Sequence, residues 1–188
     1  MQFKLEILNI IHKFALCMEA PIRIRKSCIE DLPDILGIFE SARQYMRLNN
    51  NYDQWKDAYP SEIDVLKDIS EGNGYVGLDA DGKIIMTFAF IIGEDPTYLN
   101  IYEGDWLNNE SYGTIHRIAS NGKKRGVLKA ACDFCFQSVG NIRIDTHEDN
   151  DPMLKALYDL DFIRCGIINC RDGSPRIAFQ KIKDENGK

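Results

Sequence analysis

Residues 115–131, I-H-R-I-A-S-N-G-K-K-R-G-V-L-K-A-A, run from an alternating strand-like stretch through a turn rich in glycine and lysine into the start of a helix. A strand that passes so directly into a helix needs a sheet to join and a face of that sheet for the helix to cover. The turn also has a chemical consequence. Backbone N–H groups in the first turn of a helix have no partners inside it, and with the helix dipole they form an anion site. Lys123, Lys124, Arg125 and Lys129 gather positive charge at that point, although 29 acidic residues outweigh 23 basic ones and the net charge is −6. That overall sign argues against holding phosphate backbones along a broad face, so non-specific nucleic-acid binding is not expected. A phosphate-bearing small ligand is the natural guest of the turn; a solvated basic surface is the other reading.

The rest of the chain supplies the sheet. After Pro21 the run I-R-I-R reads as a half-buried strand, and Glu30-Asp31-Leu32-Pro33 opens a helix whose stripe is Ile35, Ile38, Phe39, Ala42 and Met46. Ser61 heads a second helix with Ile63, Leu66 and Ile69 expected to face inward. Asp81-Gly82 joins strands over 75–78 and 84–92 as a hairpin. Residues 93–113 have no period and read as a long surface loop, of a length that is usually functional. Strands over 114–120, 141–145, 162–168 and 176–182 alternate with helices over 125–138 and 152–160. The fold class is therefore α+β, a mixed, mostly antiparallel central sheet flanked by helices. At 44% hydrophobic and 10% aromatic composition, the 188 residues can build one core.

One domain is expected over residues 21–183, followed by a frayed tail at 184–188. Residues 1–20 read as an amphipathic helical extension, or as an upstream start with Met18 the true beginning. Lys4, Glu6, His12 and Lys13 interrupt its apolar residues, so neither a signal peptide nor a membrane span is indicated. Six cysteines in a chain with an adequate core point to reduced thiols and a cytoplasmic setting. Cys132 and Cys135 form a CxxC, which suits a redox pair or half a zinc site, but their A-A-C-D-F-C-F context reads as the buried stripe of a helix. Asp145, His147 and Asp149 have metal-ligand chemistry but need not converge, and no metal is expected.

The strand followed by K-R-G-V-L-K-A resembles the acetyl-CoA pyrophosphate loop of the Gcn5-related N-acetyltransferase (GNAT) family, whose pattern is Arg or Gln, two residues, Gly, one residue, Gly or Ala. Arg125 and Ala130 match its ends, and Leu128 stands where the middle Gly would be. Residues 142–168 are similar to the family's region in which an Asn opens a helix and a Gly-Phe begins the next strand; Asn150 and Phe162 keep that spacing, with Asp161 in place of the Gly. With W-x-x-x-Y-P at 55–60, the resemblance runs from about Ile22 to Ile182.

The resemblance implies the acyl-CoA N-acyltransferase fold, acetyl-CoA as co-substrate and direct transfer to an amine of a small molecule or peptide. Backbone at Ile118, Ala119 and Ser120 would pair with pantetheine, residues Arg125, Gly126, Val127, Leu128, Lys129 and Ala130 would hold the pyrophosphate, and Asn150 would lie near the pantetheine arm. Leu157 occupies the place of the family's proton-donating Tyr, and Tyr158 is one helical step away. His116 is the candidate base, with Glu103 in reserve. Trp55, Tyr59, Tyr98 and Asp105 are candidates to wrap a cationic amine. A homodimer is compatible with the sequence. The alternatives are a non-catalytic acyl-CoA-binding module and, less fittingly, a CxxC oxidoreductase.

Overall fold

The computed structural model describes residues 20–56 and 58–183. The expected N-terminal helix and frayed tail lie outside the described residues, apart from Ala20. Seven strands form one sheet: β1 (Arg23–Lys26), β2 (Gly74–Leu78), β3 (Ile84–Ile92), β4 (Gly113–Ser120), β5 (Asn141–Thr146), β6 (Ile163–Asn169) and β7 (Pro175–Ile182). Their order is β1-β2-β3-β4-β5-β7-β6. Every neighbouring pair is antiparallel except β4 and β5. Among the described residues four α-helices, α1 (Leu32–Leu48), α2 (Glu62–Ser70), α3 (Val127–Cys135) and α4 (Asp151–Asp159), cover it. No helix among the described residues is long and apolar enough to cross a membrane.

Period-2 alternation along the strands gives the sheet two apolar faces. On one, Phe88 and Phe90 of β3, Ile142 and Ile144 of β5 and Phe179 of β7 pack under α3 and α4 in the largest core cluster. On the other, Val76 and Ala119 meet Ile35, Ile38 and Phe39 of α1 and Val65 of α2. Asp31 ties α1 to β1 through two bonds from Arg25, at 2.6 and 2.8 Å, and that guanidinium holds the Asp31 carboxyl down at about 2. Ser61 heads α2 as the sequence indicates, and Asp64 completes a reciprocal cap with it. The inward face of α2 is only partly the expected one: Ile69 packs against the core and Leu66 is half-buried, but Ile63 is 78% exposed and Val65 is buried. The helix is turned so that Asp68, one turn beyond Val65, reaches Arg117 of β4.

The segment 93–112 is the long, largely exposed loop anticipated, but it also serves as a cover. It lies over β5, β7 and β6, where Tyr98 and Tyr112 form a third cluster with Ile168 and Ala178. Apart from a single 3-10 turn at Pro96–Tyr98, this cover has no helix or strand to satisfy its backbone and must do so by other means. Tyr102 and Ile167 exchange two backbone bonds of 2.8 Å, and the Leu107 N–H donates to Gln180 Oε1 at 2.8 Å. Gly104 passes directly over the Cys165 carbonyl, an approach that no Cβ would permit.

Candidate functional site

The parallel pair β4/β5 is joined only at Gly113–Ile142 and Thr114–Arg143. Beyond those rungs the strands have no pairing with each other, and the sheet splits. Ile118, Ala119 and Ser120 lie on β4 past the split. Between the β3 partners Thr87 and Ala89 the register of β4 shifts, so that Arg117 and Ile118 both face Phe88. Arg117 takes φ 52°, the left-handed region, to accommodate the extra residue. Consecutive strand residues ordinarily point to opposite faces. Here His116 and Arg117 both line one cavity of about 470 Å³, together with Trp55, Tyr59, Asp145 and Asn150.

His116 Nε2 lies 2.9 Å from Asp95 Oδ2. The other oxygen of Asp95 accepts from the N–H and hydroxyl of Thr97, at 2.8 and 2.6 Å, and the Asp95 N–H donates to Tyr112 Oη at 3.0 Å. Burial works to raise the Asp95 carboxyl, but the bonds from His116 and Thr97 outweigh it, and Asp95 is held well below the usual carboxylate range. A carboxylate accepting from Nε2–H leaves the Nδ1 lone pair available.

Tyr98 stands behind this pair. It is 1% exposed, meets His116 edge to face at 5.8 Å, stacks on Trp106, and donates its hydroxyl to Asp145 at 2.6 Å. Burial pushes its phenol well above the ordinary tyrosine value, so it remains a donor. Tyr98 therefore packs beneath the cavity rather than lining it, because the loop that carries it is folded onto the sheet.

Arg117 donates from Nε and Nη2 to Asp68, at 3.0 and 2.6 Å, and from Nη1 to Tyr59 Oη at 3.3 Å. Burial pulls its pKa down, but Tyr59 and Asp68 more than offset this. Trp55 packs edge to face against Phe39 and Tyr59 on the same wall. Asn150 caps α4 by accepting from Met153 N–H at 3.2 Å, and its amide donates to Gln54 Oε1 at 2.7 Å. Asn150 is thus both a helix cap and a cavity residue.

Glu103 and Asp105 are exposed and do not line the cavity, since the backbone bridge between Tyr102 and Ile167 carries their segment across β6. Tyr158 is also exposed, against Phe179, while Leu157 is core. The CxxC lies within α3, where burial pushes the Cys132 thiol up to about 12 and raises Cys135 as well, the reverse of a reactive thiolate. Among the described residues no group of three His, Cys, Asp or Glu side chains is placed to hold a metal ion.

At the far end of β4 the turn 121–126 leads into α3. Gly126, with φ 74°, is the residue before the helix, and its carbonyl accepts the first helical bond, from Ala130 N–H at 2.9 Å. The N–H groups of Val127, Leu128 and Lys129 precede that bond and have no partners within the helix. The turn's left-handed glycine is therefore two residues earlier than the register that set Leu128 in its place. Leu128 is 8% exposed and belongs to the core under the sheet. Lys129 pairs with Asp133 at 2.7 Å, and Lys124 reaches the Ala20 carbonyl. Arg125, Gly126, Lys129 and Ala130 border a second groove beside β1. Asp161 likewise absorbs the other departure, adopting φ 59° where a glycine is usual.

Asp95, Asp68, Arg117 and Gln54 are site residues that sequence reasoning missed. The only local signal was Asp95-Pro96-Thr97, which reads as a turn in which the Asp side chain accepts from the residue two ahead.

A seven-stranded mixed sheet split between its parallel strands, with helices on both faces, defines the acyl-CoA N-acyltransferase fold. The sequence matches no protein-family model and no curated protein. Among solved structures, a GNAT-family acetyltransferase from Streptococcus agalactiae shares 33% identity over 87% of this chain and 96% of its own, with a TM-score of 0.78. GNAT-family acetyltransferases from Bacillus cereus (19% identity, 88% of this chain and 100% of that one, TM-score 0.59) and Listeria monocytogenes (16%, 86% and 94%, 0.63) share the fold. The chain belongs to the GNAT family of acetyltransferases.

Proposed function

We propose that the protein transfers an acetyl group from acetyl-CoA to a primary amine, with His116 as the base. The observation that carries this reading is the split between β4 and β5, which has the unpartnered N–H groups of α3 at one end and the His116–Asp95 pair in a cavity at the other. Val127, Leu128 and Lys129 N–H, with Arg125 beside them, suit a pyrophosphate, and the unpaired edge of β4 at Ile118, Ala119 and Ser120 suits the amides of pantetheine. Acetyl-CoA supplies the acyl group as a thioester: the amine lone pair forms the N–C bond, the C–S bond breaks, and the departing thiolate takes a proton from solvent.

His116 Nδ1 accepts the proton that the amine must lose, and Asp95 keeps the ring oriented and stabilises the imidazolium. Asp95 is a positioning residue, and Tyr98, Tyr112 and Thr97 hold it in turn. Trp55 and Tyr59 form the wall against which the amine's stem packs.

The test is acetyl transfer to a panel of primary amines, followed by thiol release and product mass. His116→Gln should lower turnover by about 10² to 10⁴, the usual worth of a general base. The wild-type rate should rise with pH as the base loses its proton, and that limb should vanish in the variant. Acetyl-CoA should still raise the melting temperature of His116→Gln. Wild-type protein that gains no thermal stability from saturating acetyl-CoA would overturn the assignment.

A further inference from the structure

Two arginines are buried on the sheet face that carries the cavity, and their surroundings differ. Arg143 of β5, 4% exposed, lies between the rings of Trp106 and Tyr112, each centroid 3.9 Å from its guanidinium carbon. Its Nη2 donates to the Asn108 carbonyl at 2.9 Å, and its Nε is sealed without a partner. That arginine is shut inside the fold. Arg176 of β7 is 6% exposed yet lines the cavity. Its Nη1 donates to Ser174 Oγ and the Pro175 carbonyl, at 3.0 and 2.8 Å, and its Nη2 to the Gln54 carbonyl at 3.0 Å.

All three acceptors are neutral oxygens. The other charges on the cavity wall are largely engaged: Arg117 with Asp68, His116 with Asp95, Lys67 with Glu71, Asp64 with the Ser61 cap, Asp145 with the Tyr98 hydroxyl. The carboxylate of Asp172 is linked to Arg176 by hydrogen bonds through the Ser174 hydroxyl and acts on it through space, but makes no direct hydrogen bond to it. Two N–H donors of Arg176 remain, on the adjacent atoms Nε and Nη2. Nε is not among the sealed, unpartnered atoms, and Arg176 lines the cavity, so a ligand can approach this edge of the guanidinium. A buried guanidinium with only neutral partners is costly, and a ligand carboxylate is the group that its planar fork fits.

On the reading of this cavity as the amine site, we infer that the acceptor is a small amino carboxylate, such as a free amino acid, and that Arg176 receives its carboxylate. Three bonds already fix the guanidinium, so little order is lost on binding. A cavity of about 470 Å³ is the size of a small-molecule site. An amine whose carboxyl is amidated, as at a protein N-terminus, would leave Arg176 without its counter-charge.

The experiment presents the protein and acetyl-CoA with each standard L-amino acid and its carboxamide as matched pairs. For the best substrate the carboxamide should show kcat/KM lower by about 10²-fold, since a site built around a charged group rejects the analogue lacking it. Arg176→Gln should lower kcat/KM for the carboxylate by a similar factor and leave the carboxamide within about twofold, and Arg176→Lys should recover part of the loss. Equal turnover of acid and amide, or an equal fall for both in Arg176→Gln, would overturn the inference and leave Arg176 as a pin for the Gln54 backbone. If Arg176→Gln does not fold, the wild-type pairs decide alone. Failure of every amine would instead bring down the acetyl-transfer reading, and this inference with it.

Discussion

Strands β1 to β3 and strands β5 to β7 offer the same sheet face to two different covers. Over the first, α1 and α2 lay down Ile35, Ile38, Phe39 and Val65, an ordinary apolar contact between helix and sheet. Over the second, the segment 93–112 lays down Tyr98, Trp106 and Tyr112, and beneath them Gln180, Asn141, Asn108 and Arg143 form a hydrogen-bonded layer. A helix satisfies its own backbone, so its cover can be built from apolar side chains alone. A loop has to borrow donors and acceptors from the sheet, and those same bonds set polar atoms at defined points. Asp95 is one such point, placed where the two covers meet and His116 emerges between them.

The difference can be tested from both sides. Phe39→Ala in the helix-covered half should cost about 3–5 kcal/mol in urea denaturation, because a buried ring leaves a cavity. The pH profile of acetyl transfer should be unchanged in the molecules that remain folded; a shifted profile would mean that the two covers are not independent. Gln180→Leu makes the loop-covered half more apolar, yet it should cost about 2–4 kcal/mol, because Leu107 N–H and Asn141 Oδ1 lose their partner. A neutral or stabilising result would show that the polar layer is dispensable. Tyr98→Phe deletes only the bond to Asp145 and should cost about 2 kcal/mol, with the ring stacking retained.

The smallest effect belongs to the helix-covered half. Arg25→Ala should cost about 1 kcal/mol at neutral pH, Arg25 being partly exposed. Asp31 is depressed to about 2, so its stabilisation is present above the ordinary aspartate value and is lost as pH falls from about 4 to about 2. The variant should therefore lose less stability across that interval than the wild type does, as read from its melting temperature.

The two covers were also unequally legible. Ser61 ahead of α2, the Asp81-Gly82 turn, the apolar run of β3 and the Asn150 that opens α4 are local signals, and each element they mark is present. The cover made by 93–112 was not legible, because nothing in its composition distinguishes aromatic residues that meet solvent from aromatic residues that meet a sheet. Ile63 was misassigned for a related reason: two faces of α2 carry apolar residues, and a salt bridge to a strand 49 residues away chose between them. His116 was legible as a residue type suited to a base. Its partner Asp95, 21 positions earlier, is brought to it only by the tertiary fold. The turn before α3 was recognised by its charge, yet spacing alone does not reveal that Gly126, rather than position 128, adopts the positive φ.

The extra residue in β4 also determines which sequence changes this protein can survive over evolutionary time. Because strand side chains alternate, deleting one residue between Thr114 and Ser120 would either erase the bulge at Arg117 or exchange the faces seen by its neighbours. Imidazole and guanidinium could then no longer share one chamber. Insertions in the turn 121–125 carry no such parity, as that segment has only to bridge a strand and a helix. Length variation among descendants of this sequence should therefore accumulate on one side of Ser120 and be purged on the other.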